Sequence, residues 1–180
     1  MNNQPLMPGQ SAPDFLLPAA RGGSVKLSAK LKKYPLVLVM FICNHCPYVK
    51  AYIPRLIALQ KKYANDLCLL AICSNDAQAY SEDSFEAMTL AAQAWNLNFK
   101  YLHDEDQSVA KAYGAQRTPE IYLIDQQAIC RYIGGIDDCY KDQTQVQDQP
   151  LQDAIEDLLA SQPVRRDRTY AIGCTIKWIK

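Results

Sequence analysis

The apolar residues of this chain occur in runs and periodic patterns that alternate between strand and helix. Residues 36–42 and 67–73 are uninterrupted apolar runs of strand length, which is typical of strands buried on both faces. Between them, residues 46–63 carry apolar side chains at helical spacing and predict an amphipathic helix. Pro47 suits the first turn of this helix, whereas Pro54 lies inside it and is expected to bend it.

Shorter patterns predict the remaining elements. Two apolar pieces around Arg21-Gly22-Gly23 indicate an N-terminal β-hairpin, and Asp83 with Glu86 has the spacing of a capping box that opens a second long helix. The others are a strand over residues 99–102, a helix over 107–113 that Gly114 ends as its αL cap, a hairpin of strands 121–124 and 129–133, and a last helix over 151–160 with Pro150 as its first residue. Together they predict an α/β fold in which a mixed central β-sheet is flanked by helices on both faces.

Length and charge narrow the class of protein. With 180 residues the chain is expected to form one domain, residues 1–163, on which a tail of residues 164–180 packs. Its 19 basic and 19 acidic residues balance and form no basic block, so neither a nucleic acid nor a membrane surface is an expected partner. The first ten residues lack the pattern of a signal peptide, and no apolar run is long enough to span a membrane, so we expect a cytoplasmic protein.

The pattern Cys43-Asn44-His45-Cys46 stands between the first buried strand and its helix. Two cysteines at this spacing can close a reversible disulfide, and the free N–H groups at a helix start favour a thiolate. We expect Cys43 to attack a substrate disulfide and Cys46 to resolve the mixed disulfide. The two residues between them tune the first thiol: a protonated His45 would lower the pKa of Cys43, unless His45 is simply an exposed helix residue.

Five further cysteines complete an odd total of seven, which cannot all pair within one chain. Cys68, Cys73 and Cys130 lie in apolar runs and are expected to pack as small core residues. Cys139 is interpreted as a loop thiol without a function. Cys174 is either a packed cysteine of the tail or a third redox thiol, if the tail folds back towards the active helix.

The chain resembles the peroxiredoxin-like thioredoxin proteins, redoxins grouped near the alkyl hydroperoxide reductase and thiol-specific antioxidant proteins. The resemblance rests on residues 41–49, residues 74–76, residues 113–115 with Thr118-Pro119, and residues 173–178. It implies a thioredoxin-like fold, here with an added N-terminal β-hairpin. In that superfamily a cis-proline faces the disulfide and the backbone before it binds extended substrate, so the resemblance assigns this role to Thr118 and Pro119. Otherwise Pro119 is an ordinary trans proline at a strand start.

Departures from better-known relatives bear on the activity. Peroxiredoxins carry a threonine three residues before their peroxide-reactive cysteine, and an arginine that binds the peroxide. If Cys46 takes the reactive position, Cys43 stands in place of the threonine and Pro119 in place of the arginine, with Arg117 two residues away. Thioredoxins carry a tryptophan before the first cysteine and a buried carboxylate on the preceding strand. This chain has Ile42 and Val37 at those positions.

The leading hypothesis is a thiol–disulfide oxidoreductase without a cofactor. Its partners would be protein or small-molecule disulfides and thiols, together with an electron-donating thiol system. The alternative enzyme is a thiol peroxidase with Cys46 or Cys43 as the peroxide-reactive group. Metal binding is not expected, because one CxxC offers two sulfur ligands whereas structural zinc takes four. An interaction module whose thiols have no redox role is the remaining hypothesis.

Overall fold

The computed structural model describes residues 4–180, and its centre is a five-stranded mixed β-sheet. The strands are β1 (Leu16–Pro18), β2 (Ser24–Lys26), β3 (Leu36–Phe41), β4 (Leu67–Cys73), β5 (Lys100–His103), β6 (Arg117–Thr118), β7 (Glu120–Asp125), β8 (Cys130–Gly134) and β9 (Cys174–Thr175). The helices are α1 (Leu27–Leu31), α2 (Pro47–Lys62), α3 (Phe85–Ala94), α4 (Ser108–Tyr113) and α5 (Pro150–Leu159). The central sheet has the order β5-β4-β3-β7-β8; β3, β4 and β5 run parallel, and β7 pairs antiparallel with β3 and β8. The predicted thioredoxin-like α/β fold is confirmed, including its N-terminal hairpin β1–β2.

Both faces of the sheet are covered, which explains why its central strands are apolar throughout. Every residue of β3 and β4 is buried. Side chains alternate along β3, so Val37 and Val39 pack with α1 and α4, whereas Leu38 and Met40 pack with α2, α3 and α5. The C-terminal end of β3 is therefore held between two packed layers. The residues that follow it lie beyond the end of this central strand, where α2 begins.

Helix α2 begins one residue later than expected. Cys46 has an extended backbone and is the N-cap, and Pro47 is the first helical residue. The helix continues past Pro54 to Lys62. At α4 the expected end is confirmed, because Gly114 adopts the left-handed conformation with φ of 69°.

The capping box predicted at Asp83 and Glu86 is wrong. Ser84 is the N-cap of α3, and its hydroxyl accepts a hydrogen bond from the backbone N–H of Ala87 at 3.2 Å. Asp83 lies in a 3-10 turn before the helix, is fully buried, and accepts hydrogen bonds from another part of the chain. A carboxylate already held by those donors is not available to cap α3.

The segment after α5 follows the edge of the domain and adds a strand that the sequence patterns did not predict. The backbone N–H of Thr169 donates to the carbonyl oxygen of Ile133 on β8 at 3.0 Å. Further along the chain, β9 pairs antiparallel with β6. Ile176 is buried in the core. The division of the chain at residue 163 stays a prediction. Within residues 4–180, no helix combines the length and apolar character that crossing a membrane requires.

Candidate active site

Three sulfur atoms meet at the N-terminus of α2. The sulfur of Cys46 lies 3.1 Å from that of Cys174 and 3.1 Å from the carbonyl oxygen of Thr118. The sulfur of Cys43 lies 3.5 Å from the hydroxyl of the same threonine. The Thr118–Pro119 peptide bond is cis, as predicted. The structure thus brings together both cysteines of the CxxC, the cis-proline and Cys174.

The electrostatics of the pair differ from the sequence-based expectation. The pKa of Cys46 is lowered, first by the hydrogen bond from Cys43 and then, against the effect of burial, by the Val49 amide and Cys174. The pKa of Cys43 is raised, because its proton is held in the hydrogen bond to Cys46, because it is buried, and because Asp83 lies nearby. The Thr118 carbonyl contact suits a protonated Cys46, but two thiols and the helix N-terminus outweigh it. These directions give Cys46 the lower pKa of the coupled pair, whereas the sequence pattern predicted the thiolate at Cys43; the role of Cys43 as the attacking thiol stays a prediction.

A buried carboxylate holds the turn between the two cysteines. Asp83 accepts one hydrogen bond from the Asn44 backbone N–H at 2.7 Å and another from the Asn75 side chain at 2.8 Å. The Asn44 side chain donates to the Glu82 carbonyl at 2.7 Å and accepts from the Tyr101 hydroxyl at 2.9 Å. Asn44 is thus fixed at backbone and side chain, which makes it a structural part of the CxxC turn.

His45 faces Asp83 more directly than it faces Cys43. Its Nδ1 lies 2.8 Å from a carboxylate oxygen of Asp83, although outside the direction of a hydrogen bond, and its ring stacks on Tyr80. Charge on His45 would therefore be compensated first by Asp83. That His45 lowers the pKa of Cys43 stays a prediction; the charged neighbours that act on this thiol, Asp83 and Cys46, both raise its pKa.

Cys43, His45 and Asp83 form a potential metal-binding group, since their donor atoms lie within 4.8 Å of one another. Both oxygens of Asp83, however, already accept hydrogen bonds from amides. The group also offers three donors where structural zinc takes four. These residues therefore fit a hydrogen-bonded turn better than a metal site.

The backbone of Thr118, which the resemblance assigns to substrate binding, is paired with another segment of the chain. Thr118 pairs with Cys174 in the β6–β9 ladder, and Gly173 packs so closely on the Thr118 carbonyl that an added methyl group would overlap it. The role of Thr118 and Pro119 as a clamp for extended substrate stays a prediction; in this structure the Thr118 backbone pairs with β9. Glycine is required at position 173 because the two backbones are in direct contact.

Arg117 contacts the C-terminal segment, and Val37 lies in the core. Arg117 donates to the Gly173 carbonyl at 3.3 Å and lies over the ring of Tyr170, so it is directed to the tail and not to Cys46. Val37 is buried among apolar side chains on β3. The buried carboxylate near the thiols comes instead from Asp83, in the turn before α3.

Sequence reasoning missed Asp83, Asn75 and Tyr101 as parts of this site. An aspartate just before a helix has the same local pattern whether it caps that helix or reaches across to another loop. Asn75 stands in a block that carried the family resemblance, but nothing in the block indicates its partner. Tyr101 lies in a short strand whose pattern predicts only burial.

Comparison with known proteins places this arrangement in a family. The sequence model of the AhpC/TSA family matches residues 8–133. The thioredoxin-like protein YneN of Bacillus subtilis (strain 168) is 30% identical over 126 residues, which is 69% of each chain. Among solved structures, a hypothetical protein from Sinorhizobium meliloti 1021 is 38% identical with a TM-score of 0.90, over 98% of this chain and 97% of that one. An uncharacterized conserved protein from Geobacillus kaustophilus is also 38% identical, with a TM-score of 0.89 over 97% and 93% of the two chains.

Proposed function

We propose, since the chain belongs to the AhpC/TSA family, that it is a thiol–disulfide oxidoreductase working through a reversible Cys43–Cys46 dithiol. Membership of this family makes it an oxidoreductase that acts on sulfur groups. The observation that carries the proposal is the pair of buried thiols at the N-terminus of α2, both in contact with Thr118 and so next to the cis peptide before Pro119. A helix start stabilises the thiolate that exchange chemistry needs.

The chemistry is a two-electron exchange. One thiolate of the pair attacks a substrate disulfide and releases one substrate thiol. The second cysteine then attacks the sulfur of the first, so the Cys43–Cys46 bond forms and the second substrate thiol leaves. The substrate disulfide is reduced to two thiols while the protein dithiol is oxidised. The lowered pKa of Cys46 keeps one sulfur of the pair ionised for these steps.

A redox titration tests this proposal. The protein is equilibrated in glutathione buffers of graded potential, free thiols are alkylated, and disulfides are mapped by mass spectrometry. We expect a Cys43–Cys46 disulfide with a midpoint within roughly −270 to −120 mV, the range of thioredoxin-fold pairs. The variant Cys139→Ser is the matched control, because this partly buried thiol follows β8 and should leave the midpoint unchanged. If the two cysteines never pair in any buffer, the proposal is wrong.

One observation favours a thiol peroxidase as the second candidate. Cys46, the thiol with the lowered pKa, has two neighbouring thiols, Cys43 and Cys174. Its thiolate would attack a hydroperoxide to give a sulfenic acid and an alcohol, and Cys43 or Cys174 would then condense with the sulfenic acid and release water. The direction of Arg117 away from Cys46 counts against efficient peroxide binding. Dimedone labelling of Cys46 after peroxide addition, in the Cys43→Ser/Cys174→Ser variant, would support this activity, and no labelling would exclude it.

The reducing partner of the protein and its cellular compartment are also part of this proposal. We expect an electron-donating thiol system of the cytoplasm to reduce the disulfide. In support, Cys68, Cys73 and Cys130 are buried singly in the core, which suits a reducing compartment. Cell fractionation with an antibody to the protein tests the compartment, and recovery from an oxidising one would contradict it.

A further inference from the structure

The tail presents Cys174 to the dithiol in a fixed position. The two residues that follow β9 anchor it: the Ile176 N–H donates to the Gln116 carbonyl at 3.0 Å, and the Lys177 N–H donates to the Asn75 side chain at 2.9 Å. The buried side chain of Gln107 donates to the Lys177 carbonyl at 2.8 Å. This segment is therefore a part of the fold, and the contact of Cys174 with Cys46 is built into it.

Access to solvent differs sharply among the three thiols. Cys43 and Cys46 are 1% and 0% exposed, whereas Cys174 is partly exposed. Thiol–disulfide exchange requires the attacking sulfur to reach the attacked sulfur directly. At the buried pair this contact requires β9 to move aside, whereas Cys174 is reached without that movement. Cys174 is the member of the cluster that an external thiol can reach.

We propose that Cys174 is the exchange thiol of this site, through which an external thiol reduces the buried disulfide. The proposal rests on the reversible Cys43–Cys46 dithiol. In the first step the Cys174 sulfur attacks the Cys46 sulfur, the Cys46–Cys174 bond forms, and the Cys43–Cys46 bond breaks. The proton of Cys174 passes to Cys43, and this step involves no net oxidation.

Two external thiols then complete the reaction. The first, as a thiolate, attacks the sulfur of the partly exposed Cys174 and expels the Cys46 thiolate. The second attacks the resulting mixed disulfide, which releases Cys174 and an external disulfide. Two external thiols are oxidised and one protein disulfide is reduced, so the electrons balance. The substrate class is thus a soluble or protein thiol that meets the surface at β9.

Geometry suits the first of these steps, and acidity suits the second. The Cys46 and Cys174 sulfurs are 3.1 Å apart, so a bond of about 2.05 Å requires them to approach by roughly 1 Å. A thiol of low pKa is a good leaving group in exchange, and Cys46 has the lowered pKa. Attack on Cys174 therefore expels the better of the two leaving groups.

The first test traps the second disulfide. The Cys43→Ser variant is oxidised with diamide, alkylated and mapped by mass spectrometry. We expect an intramolecular Cys46–Cys174 disulfide as the main product. If Cys46 and Cys174 stay reduced, or react only with added glutathione or another chain, the proposal is overturned, while a Cys43–Cys46 disulfide in the wild type would leave the proposed function standing.

The second test measures reduction by an external thiol. Oxidised wild type, Cys174→Ser and the control Cys139→Ser are mixed with excess glutathione, and free thiols are counted over time. We expect Cys174→Ser to be reduced at least about tenfold more slowly, because its remaining disulfide is buried. Equal rates would overturn the proposal. Unfolding temperatures identify a misfolded variant, and Cys174→Ala then replaces Cys174→Ser. Failure of the Cys43–Cys46 bond in every variant would instead reject the proposed function.

Discussion

Removal of the Asp83 carboxylate tests whether this buried charge holds the active turn in place. In Asp83→Ala, the backbone N–H of Asn44 and the side-chain amide of Asn75 lose their acceptors at 2.7 and 2.8 Å. Both groups remain in the protein interior, where an unpaired donor costs about 1–3 kcal/mol. We therefore expect the free energy of unfolding to fall by roughly 2–6 kcal/mol, which is a large part of the usual total.

The same substitution should raise the reactivity of a thiol. Asp83 contributes to the raised pKa of Cys43, after the hydrogen bond to Cys46 and burial, so its removal lowers that pKa. We expect the variant to be less stable and yet to react faster with iodoacetamide at Cys43. A mutation that merely loosened the fold would expose every buried thiol, including Cys73 on β4, so the ratio of Cys43 to Cys73 labelling separates the two effects.

Urea unfolding of the reduced protein, followed by tryptophan fluorescence, gives the change in stability. Asp83→Asn keeps the size of the side chain but turns one oxygen into a donor, so it should lie between the wild type and Asp83→Ala. Asp106→Ala is the matched control. This exposed carboxylate accepts a hydrogen bond from the backbone N–H of Ser108, and its loss should change the free energy of unfolding by about 1 kcal/mol or less. A value for Asp83→Ala within about 1 kcal/mol of wild type would refute the anchoring role.

Three other substitutions test contacts elsewhere in the fold. Gly173→Ala should displace β9, because the new methyl group overlaps the Thr118 carbonyl; disulfide mapping should then show less Cys46–Cys174 product, and an unchanged yield would contradict the close packing. The thiolate absorbance at 240 nm should persist at lower pH in the wild type than in Cys43→Ala, because loss of the hydrogen bond from Cys43 raises the pKa of Cys46; coincident curves would refute this cause. The lowered pKa of Cys46 also stabilises the folded state at pH values above the ordinary thiol pKa of about 8.5. This contribution is lost as the pH falls through the pKa of Cys46 in the folded state. Ser84→Ala should cost about 1 kcal/mol in urea unfolding, and no change would argue against the cap.

The main elements of this protein were predictable because strand and helix periods are local properties of the chain. The buried strands β3 and β4, the helix that follows the CxxC, the β7–β8 hairpin and the cap at Gly114 all follow from patterns a few residues long. The chemistry of Cys43 and Cys46 was indicated in the same way, by their spacing and by their place before a helix. The position and cis form of Pro119 came from the resemblance to a family.

Contacts between distant parts of the chain decided the rest. Asp83 meets Asn44 across 39 positions, and Cys46 meets Cys174 across 128, so no local pattern contains either pair. The charge of the reduced dithiol depends on such neighbours, because hydrogen bonds, burial and nearby carboxylates set a pKa, and spacing does not. The sequence by itself indicated which thiols are candidates for the chemistry. Only the tertiary structure decided which of them has the lowered pKa, which are buried and which one is partly exposed.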